Sequence, residues 1–162
     1  MDAMTQRWLR ARLLLFPFLS LLACAAEGQP EERGRGAGLS AGDWRLTTIK
    51  TPDQTFELQT SDGVATLRFS EEQTAGSEQG RRVSGDTGCN TFEGTYTSTG
   101  EQAISIDDLT VTEIFCGERA FAIEQAFLSA LWSVDSYELA GNTLRLISNA
   151  SGFRLTFINN GR

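Results

Sequence analysis

The chain of 162 residues contains no histidine. That absence removes the commonest general base, the usual zinc and copper ligand, and the middle member of a Ser-His-Asp or Cys-His site. Basic residues are also scarce, 14 Lys and Arg against 21 Asp and Glu, for a formal net charge of -7. Nucleic acids and anionic lipid headgroups are bound by Lys and Arg that displace counterions, so a nucleic-acid role is excluded. Only 3 prolines stand beside 16 glycines, which suits a β-rich fold with many turns. No metal site and no cofactor is implied. What remains is an ordinary globular mixture, 40% hydrophobic and 22% charged, of a length that fits one domain with appendages.

Long apolar runs are missing except near the start. Arg7, Arg10 and Arg12 precede the segment Leu13 to Leu22, LLLFPFLSLL. A basic stretch followed by a short apolar core has the form of a secretory signal. The run falls well short of the roughly 20 apolar residues that span a bilayer, and Pro17 breaks a permanent membrane helix. The run ends Leu21-Leu22-Ala23-Cys24, which resembles the bacterial lipobox, where the thiol is acylated and the chain is cut just before it. The alternative is an ordinary signal peptide cut near Ala25 or Ala26. Lipidation of Cys24 predicts residues 1–23 as signal peptide and attachment to a membrane, because several acyl chains bury many methylenes at about 0.8 kcal/mol each. Ala25, rather than Asp, follows the cysteine, which directs the expectation to the periplasmic face of the outer membrane where the host has one, and otherwise to the cell membrane. Cleavage there removes Asp2 and the three arginines and takes the net charge to about -9, a solubilising surface whose partners are neutral or basic.

Residues 24–41 hold the cysteine and a Gly-, Glu- and Arg-rich tether without apolar periodicity, of root-mean-square reach roughly 20–25 Å. A folded domain is expected over 42–160. Strand patterns begin at Trp44, Leu46 and Ile49, and alternation over Val64 to Phe69 follows an Asp62-Gly63 turn. Glu71 to Gly80 reads as a polar loop. Arg82-Val83-Ser84 leads into a turn cluster at Gly85 to Gly88, and further strands are expected at Asn90 to Thr97, Ala103 to Ile106 and Leu109 to Phe115. Glu118 to Trp132 has helical spacing, with Phe121, Phe127, Leu128 and Trp132 read as core. Three short strands close the chain, Tyr137 to Leu139, Leu144 to Leu146 and Phe153 to Phe157, joined by turns at Gly141-Asn142 and Asn149 to Gly152. The Asn149-Ala150-Ser151 sequon is read as turn chemistry. The fold class is α+β and mostly β, a compact antiparallel sheet or partly closed barrel with one amphipathic helix packed on it.

Once Cys24 is set aside, Cys89 and Cys116 remain. In an exported chain an even pair is usually a disulfide. Closing its loop of about 28 residues would stabilise the domain by roughly 3.5 kcal/mol. Buried free thiols are the second reading. A catalytic thiol or metal pair lacks a base and further ligands.

The segment Gly85-Asp86-Thr87-Gly88-Cys89-Asn90-Thr91-Phe92-Glu93-Gly94-Thr95-Tyr96 resembles the G-x-x-G-C-N-x-F-x-G-x-Y signature of the META domain, also called DUF306, to which the heat-inducible HslJ lipoproteins belong. Trp44-Arg45-Leu46 resembles the W-x-L that opens such domains. Thr112 to Cys116 resembles their T-x-M-x-C segment, with Ile114 in place of Met and Phe115 in place of a small residue. The likeness covers about Asp43 to Asn159. It implies a β-rich fold carrying one helix, and links to heat stress and novobiocin tolerance, but no reaction. The motif has structural readings of its own. Gly85 and Gly88 allow positive backbone angles in a turn, Asn90 satisfies loop backbone groups, Phe92 and Tyr96 share one strand face, and Gly94 permits a bulge or close approach.

Three functions compete. The first is a monomeric, membrane-anchored envelope module, non-enzymatic and stress-related, that binds a protein, peptide or lipid, with the Gly85 to Asn90 turn and Glu93 as the contact. The second is an inhibitor of secreted or periplasmic proteases. The third is a carboxylate-dependent hydrolase, but Asp107-Asp108 and Glu71-Glu72 are sequence neighbours that would point to opposite faces of a strand, and they read as solvated turn residues.

Overall fold

A computed structural model describes residues 38–40, 42–73, 80–99 and 102–159, all within one compact unit of the chain. The signal peptide, Cys24 and nearly all of the tether lie outside the described residues. Among the described residues there are nine strands: β1 (Trp44–Lys50), β2 (Thr55–Glu57), β3 (Ala65–Gln73), β4 (Arg81–Thr87), β5 (Thr91–Thr99), β6 (Ala103–Val111), β7 (Ser136–Ala140), β8 (Thr143–Ile147) and β9 (Arg154–Asn159). One helix, α1 (Glu118–Ser133), joins β6 to β7. All pairings are antiparallel and run β2-β1-β3-β4-β5-β6-β7-β8-β9, and β1 also pairs with β9, so the sheet closes into a ring. This is the mostly β, one-helix fold expected from the sequence.

Alternation explains the interior. Trp44, Leu46 and Ile49 on β1, Ala65, Leu67 and Phe69 on β3, and Leu144, Leu146, Leu155 and Phe157 on β8 and β9 all point inward and are buried. The ring is weakest between β6 and β7, which share the single register pair Ala103 and Ser136. Helix α1 lies over that part of the core. Ile123, Phe127, Leu128 and Leu131 recur at three- and four-residue steps and are buried. Phe127 packs edge-on against Phe92 at 5.6 Å between ring centroids. Fully burying a side chain of this size stabilises the fold by roughly 1.5–3 kcal/mol.

Several expectations need correction. Phe121 and Trp132 are not core: they are 52% and 58% exposed. Eleven residues separate them, which returns the helix to almost the same face, and that face looks outward. Of the expected turn cluster, Gly85 to Thr87 are the end of β4, and the turn itself is the two-residue loop Gly88-Cys89, closed by the Thr87 N–H on the Asn90 carbonyl at 2.7 Å. Ala103 to Ile106 and Leu109 to Val111 form one strand, and 112–117 belong to no strand. Glu71 to Gln73 extend β3 rather than opening a loop. The short β2 was not anticipated.

The candidate functional site

The family-like signature forms one corner of the ring, where β4, β5, the segment after β6 and the start of α1 meet. Asn90 is 1% exposed and uses its whole side-chain amide. Its Oδ1 accepts from the Thr112 hydroxyl at 2.8 Å and the Ile114 N–H at 2.7 Å. Its Nδ2 donates to the Ile114 carbonyl and to Glu124 Oε2, both at 2.9 Å. Thr87, also buried, donates its hydroxyl to the same Glu124 oxygen at 2.5 Å and accepts the Asn90 N–H at 2.8 Å. Cys89 and Cys116 are joined as a disulfide with Cα atoms 6.0 Å apart. The corner is therefore tied by a covalent bond and a buried polar network centred on Asn90 and Glu124 Oε2.

Glu124 was missed. It is not among the residues the helical spacing marks as core, yet it is 7% exposed. Its position three before Phe127 and four before Leu128 is core spacing, so a charge on the core stripe was the available signal.

Packing at this corner requires small residues. Gly88 has φ +93°, and a β-carbon on its neighbour Gly63 (φ +84°) would lie 2.4 Å from the Gly88 carbonyl oxygen. Gly85 needs no unusual backbone angle, contrary to expectation. The Phe92 ring occupies the space its side chain would take. Gly94 stands opposite two residues of β6, because Glu93 pairs with Thr110 but Thr95 with Asp107. The extra residue is Asp108, at φ 53°. A β-carbon on Gly94 would meet the Asp107 carbonyl at 2.7 Å. Asp107 and Asp108 are thus both exposed beside a bulge, not in a turn. Phe92 and Tyr96 do share the inner face, and burial pushes the Tyr96 hydroxyl's pKa up.

Arg119 and Asp62 link the start of α1 to the turn before β3. The guanidinium donates through Nε and Nη2 at 2.5 and 2.9 Å. Together with the Gln59 N–H, this pair lowers the Asp62 pKa to about 2.

The outer face of β3 to β6 carries two shallow grooves of about 620 and 590 Å³ that share Arg82, Glu93 and Thr110. Most of the residues that line them are polar or charged. Arg68 holds Asp43 at 2.5 and 2.7 Å, Arg82 holds Glu93 at 2.6 Å, and Thr95 donates to Asp108 at 3.3 Å. Glu71 is paired with Arg81 at 3.2 Å. Glu93 therefore faces a groove, while Asn90, the other end of the expected contact, is buried. Among the described residues no cluster of three His, Cys, Asp or Glu could hold a metal ion.

The META domain profile matches residues 37–161. This chain belongs to the META-domain family. Two solved structures share the fold. One is a protein from Burkholderia xenovorans solved by NMR, 26% identical, with a TM-score of 0.58 over 76% of this chain and 85% of that one. The other is a DUF4847 family protein from Bacteroides vulgatus ATCC 8482, 15% identical, with a TM-score of 0.52 over 80% and 99%. No curated protein matches the sequence. In this META domain Gly88, Cys89 and Asn90 build the corner, Gly85 and Phe92 pack together beside it, and Gly94 and Tyr96 pack farther along β5 against Asp107 and Phe69.

Proposed function

We propose that this META-domain protein is exported, anchored to the envelope membrane through Cys24, and works by binding rather than by catalysis. The observation that carries the reading is the closed corner. Thr87 and Asn90 bond each other, the chain and Glu124 Oε2, and both remaining cysteines are in a disulfide. A nucleophile needs an adjacent base aimed at open space, and the groove carboxylates Asp43 and Glu93 face guanidinium partners instead. The disulfide supports export, since such bonds persist in oxidising compartments. The apolar run ending at Cys24 supports anchoring, with the outer membrane as the destination in a host that has one.

Replacing Cys24 with Ser should move the protein from the membrane fraction to the soluble one, and the wild-type N-terminal peptide should carry acyl mass. Unchanged partitioning without that mass contradicts the anchor. A hydrolytic activity of the purified protein that one Asp or Glu substitution abolishes contradicts the binding reading.

A further inference from the structure

The closed corner holds an open surface. The chain that leads from β6 into α1 includes Glu113-Ile114-Phe115-Cys116-Gly117 and the first helical residue, Glu118. Asn90 grips both the N–H and the carbonyl of Ile114, and Cys116 is pinned by its disulfide, so both flanks of Phe115 are fixed. Yet Ile114 is 63% and Phe115 73% exposed. Phe121, one turn into the helix, is 52% exposed, and Val64, beside the Gly63 that packs on Gly88, is 50% exposed. A buried polar network thus holds apolar side chains rigidly in water. Floppy apolar loops collapse onto the core. Rigid, outward aromatic side chains are the anchors of binding surfaces, because the ordering cost of association has already been met.

The charges around these residues indicate the occupant. Glu113 and Glu118 are exposed and carry no ion pair among the described residues, while the one neighbouring cation, Arg119, is held by Asp62. Unpaired glutamates flanking exposed apolar residues in the chain disfavour both an anionic bilayer and a second copy of the same acidic segment. They complement a cationic one.

We infer that Ile114, Phe115 and Phe121, with the neighbouring Glu113 and Glu118, form a docking surface for a basic protein segment that places an apolar side chain beside Lys or Arg. This rests on the binding reading above and names its site. The contact lies on the segment that Asn90 supports, not on the Gly85 to Asn90 turn.

The test uses the whole mature chain and two synthetic peptides of 12 residues with the same Leu and Phe content, one bearing four Lys and the other four Glu. The Lys peptide should bind saturably and shift the amide NMR signals of 113–121, with the Glu peptide at least about tenfold weaker. Phe115→Ser and Ile114→Ser should each weaken binding by about tenfold or more with the melting temperature unchanged, since both side chains are exposed. The double variant Glu113→Lys, Glu118→Lys should reverse the preference, whereas Arg82→Ala should leave it intact. Equal binding of the two peptides, no binding, or shifts confined to other residues would overturn the proposal. So would binding to phosphatidylcholine vesicles, or a dimer in sedimentation, that Phe115→Ser abolishes while the Lys peptide does not bind. Failure here leaves the Cys24 fractionation and hydrolysis tests untouched, so the two readings fail separately.

Discussion

Two regions of this molecule carry carboxylates in contact with hydrogen-bond donors, and they have opposite characters. At the closed corner, Glu124 is 7% exposed and receives the Thr87 hydroxyl and the Asn90 amide. On the outer grooves, Glu93 and Asp43 meet arginines in solvent. Around Glu124, losing a partner leaves a buried polar atom without a bond, which costs about 1–3 kcal/mol and more for a charge. In the grooves, water takes the place of a lost partner, and exposed ion pairs contribute about 0–1 kcal/mol. The buried part of this family's signature, Asn90 with its partners, is therefore architecture, whereas the groove ion pairs contribute little to it.

The largest effect should come from the disulfide. Replacing Cys89 and Cys116 with Ser should lower unfolding free energy by about 3.5 kcal/mol, read in urea melts, and should loosen residues 113–117 in hydrogen exchange. A smaller change would show that the Asn90 network alone holds the corner. Next is Glu124→Ala, with an expected loss of about 2–4 kcal/mol. Glu124→Gln retains an acceptor oxygen for Thr87 and should recover most of that loss, so equal losses in the two variants would mean that the charge and not the hydrogen bonds matters. Gly94→Ala forces a methyl against the Asp107 carbonyl and should cost about 1–3 kcal/mol by overpacking.

The Asp62 effect is confined to acid. Its pKa is lowered from 3.8 to about 2 in the folded protein, so ionised Asp62 favours the folded state fully above about pH 5. That contribution fades as pH falls from about 4 to 2, where the unfolded chain takes up the proton first. Asp62→Asn should flatten the loss of stability in that window, and an unaltered acid limb would show that Arg119 does not hold Asp62 ionised.

Much of the frame was legible in the sequence because its signals are local. The three closing strands, with Tyr137 opposite Leu146 and Leu146 opposite Leu155, follow from alternation and short turns. What failed depends on distant partners. The three residues of β2, Thr-Phe-Glu, have no pattern of their own and exist because the end of β1 offers an edge. Asp107-Asp108 looks like a turn, yet β6 continues through it because Gly94 across the strand admits the bulge. Phe121 and Trp132 raise any count of apolar residues on the helix but lie off the stripe that Ile123, Phe127 and Leu131 define. The site was half legible. Gly85 to Gly88 announced a turn that the structure places at Gly88-Cys89, but the threonine and the glutamate that complete it are common residues whose meaning appears only once β4 and α1 are side by side.

The central claim is that the corner is architecture and the groove is not, and one pair of variants tests it. Asn90→Ala removes four side-chain hydrogen bonds and should lower unfolding free energy in urea by about 3 kcal/mol, whereas Glu93→Ala should lower it by less than about 0.5 kcal/mol. Equal losses, or a larger loss at Glu93, would contradict the account.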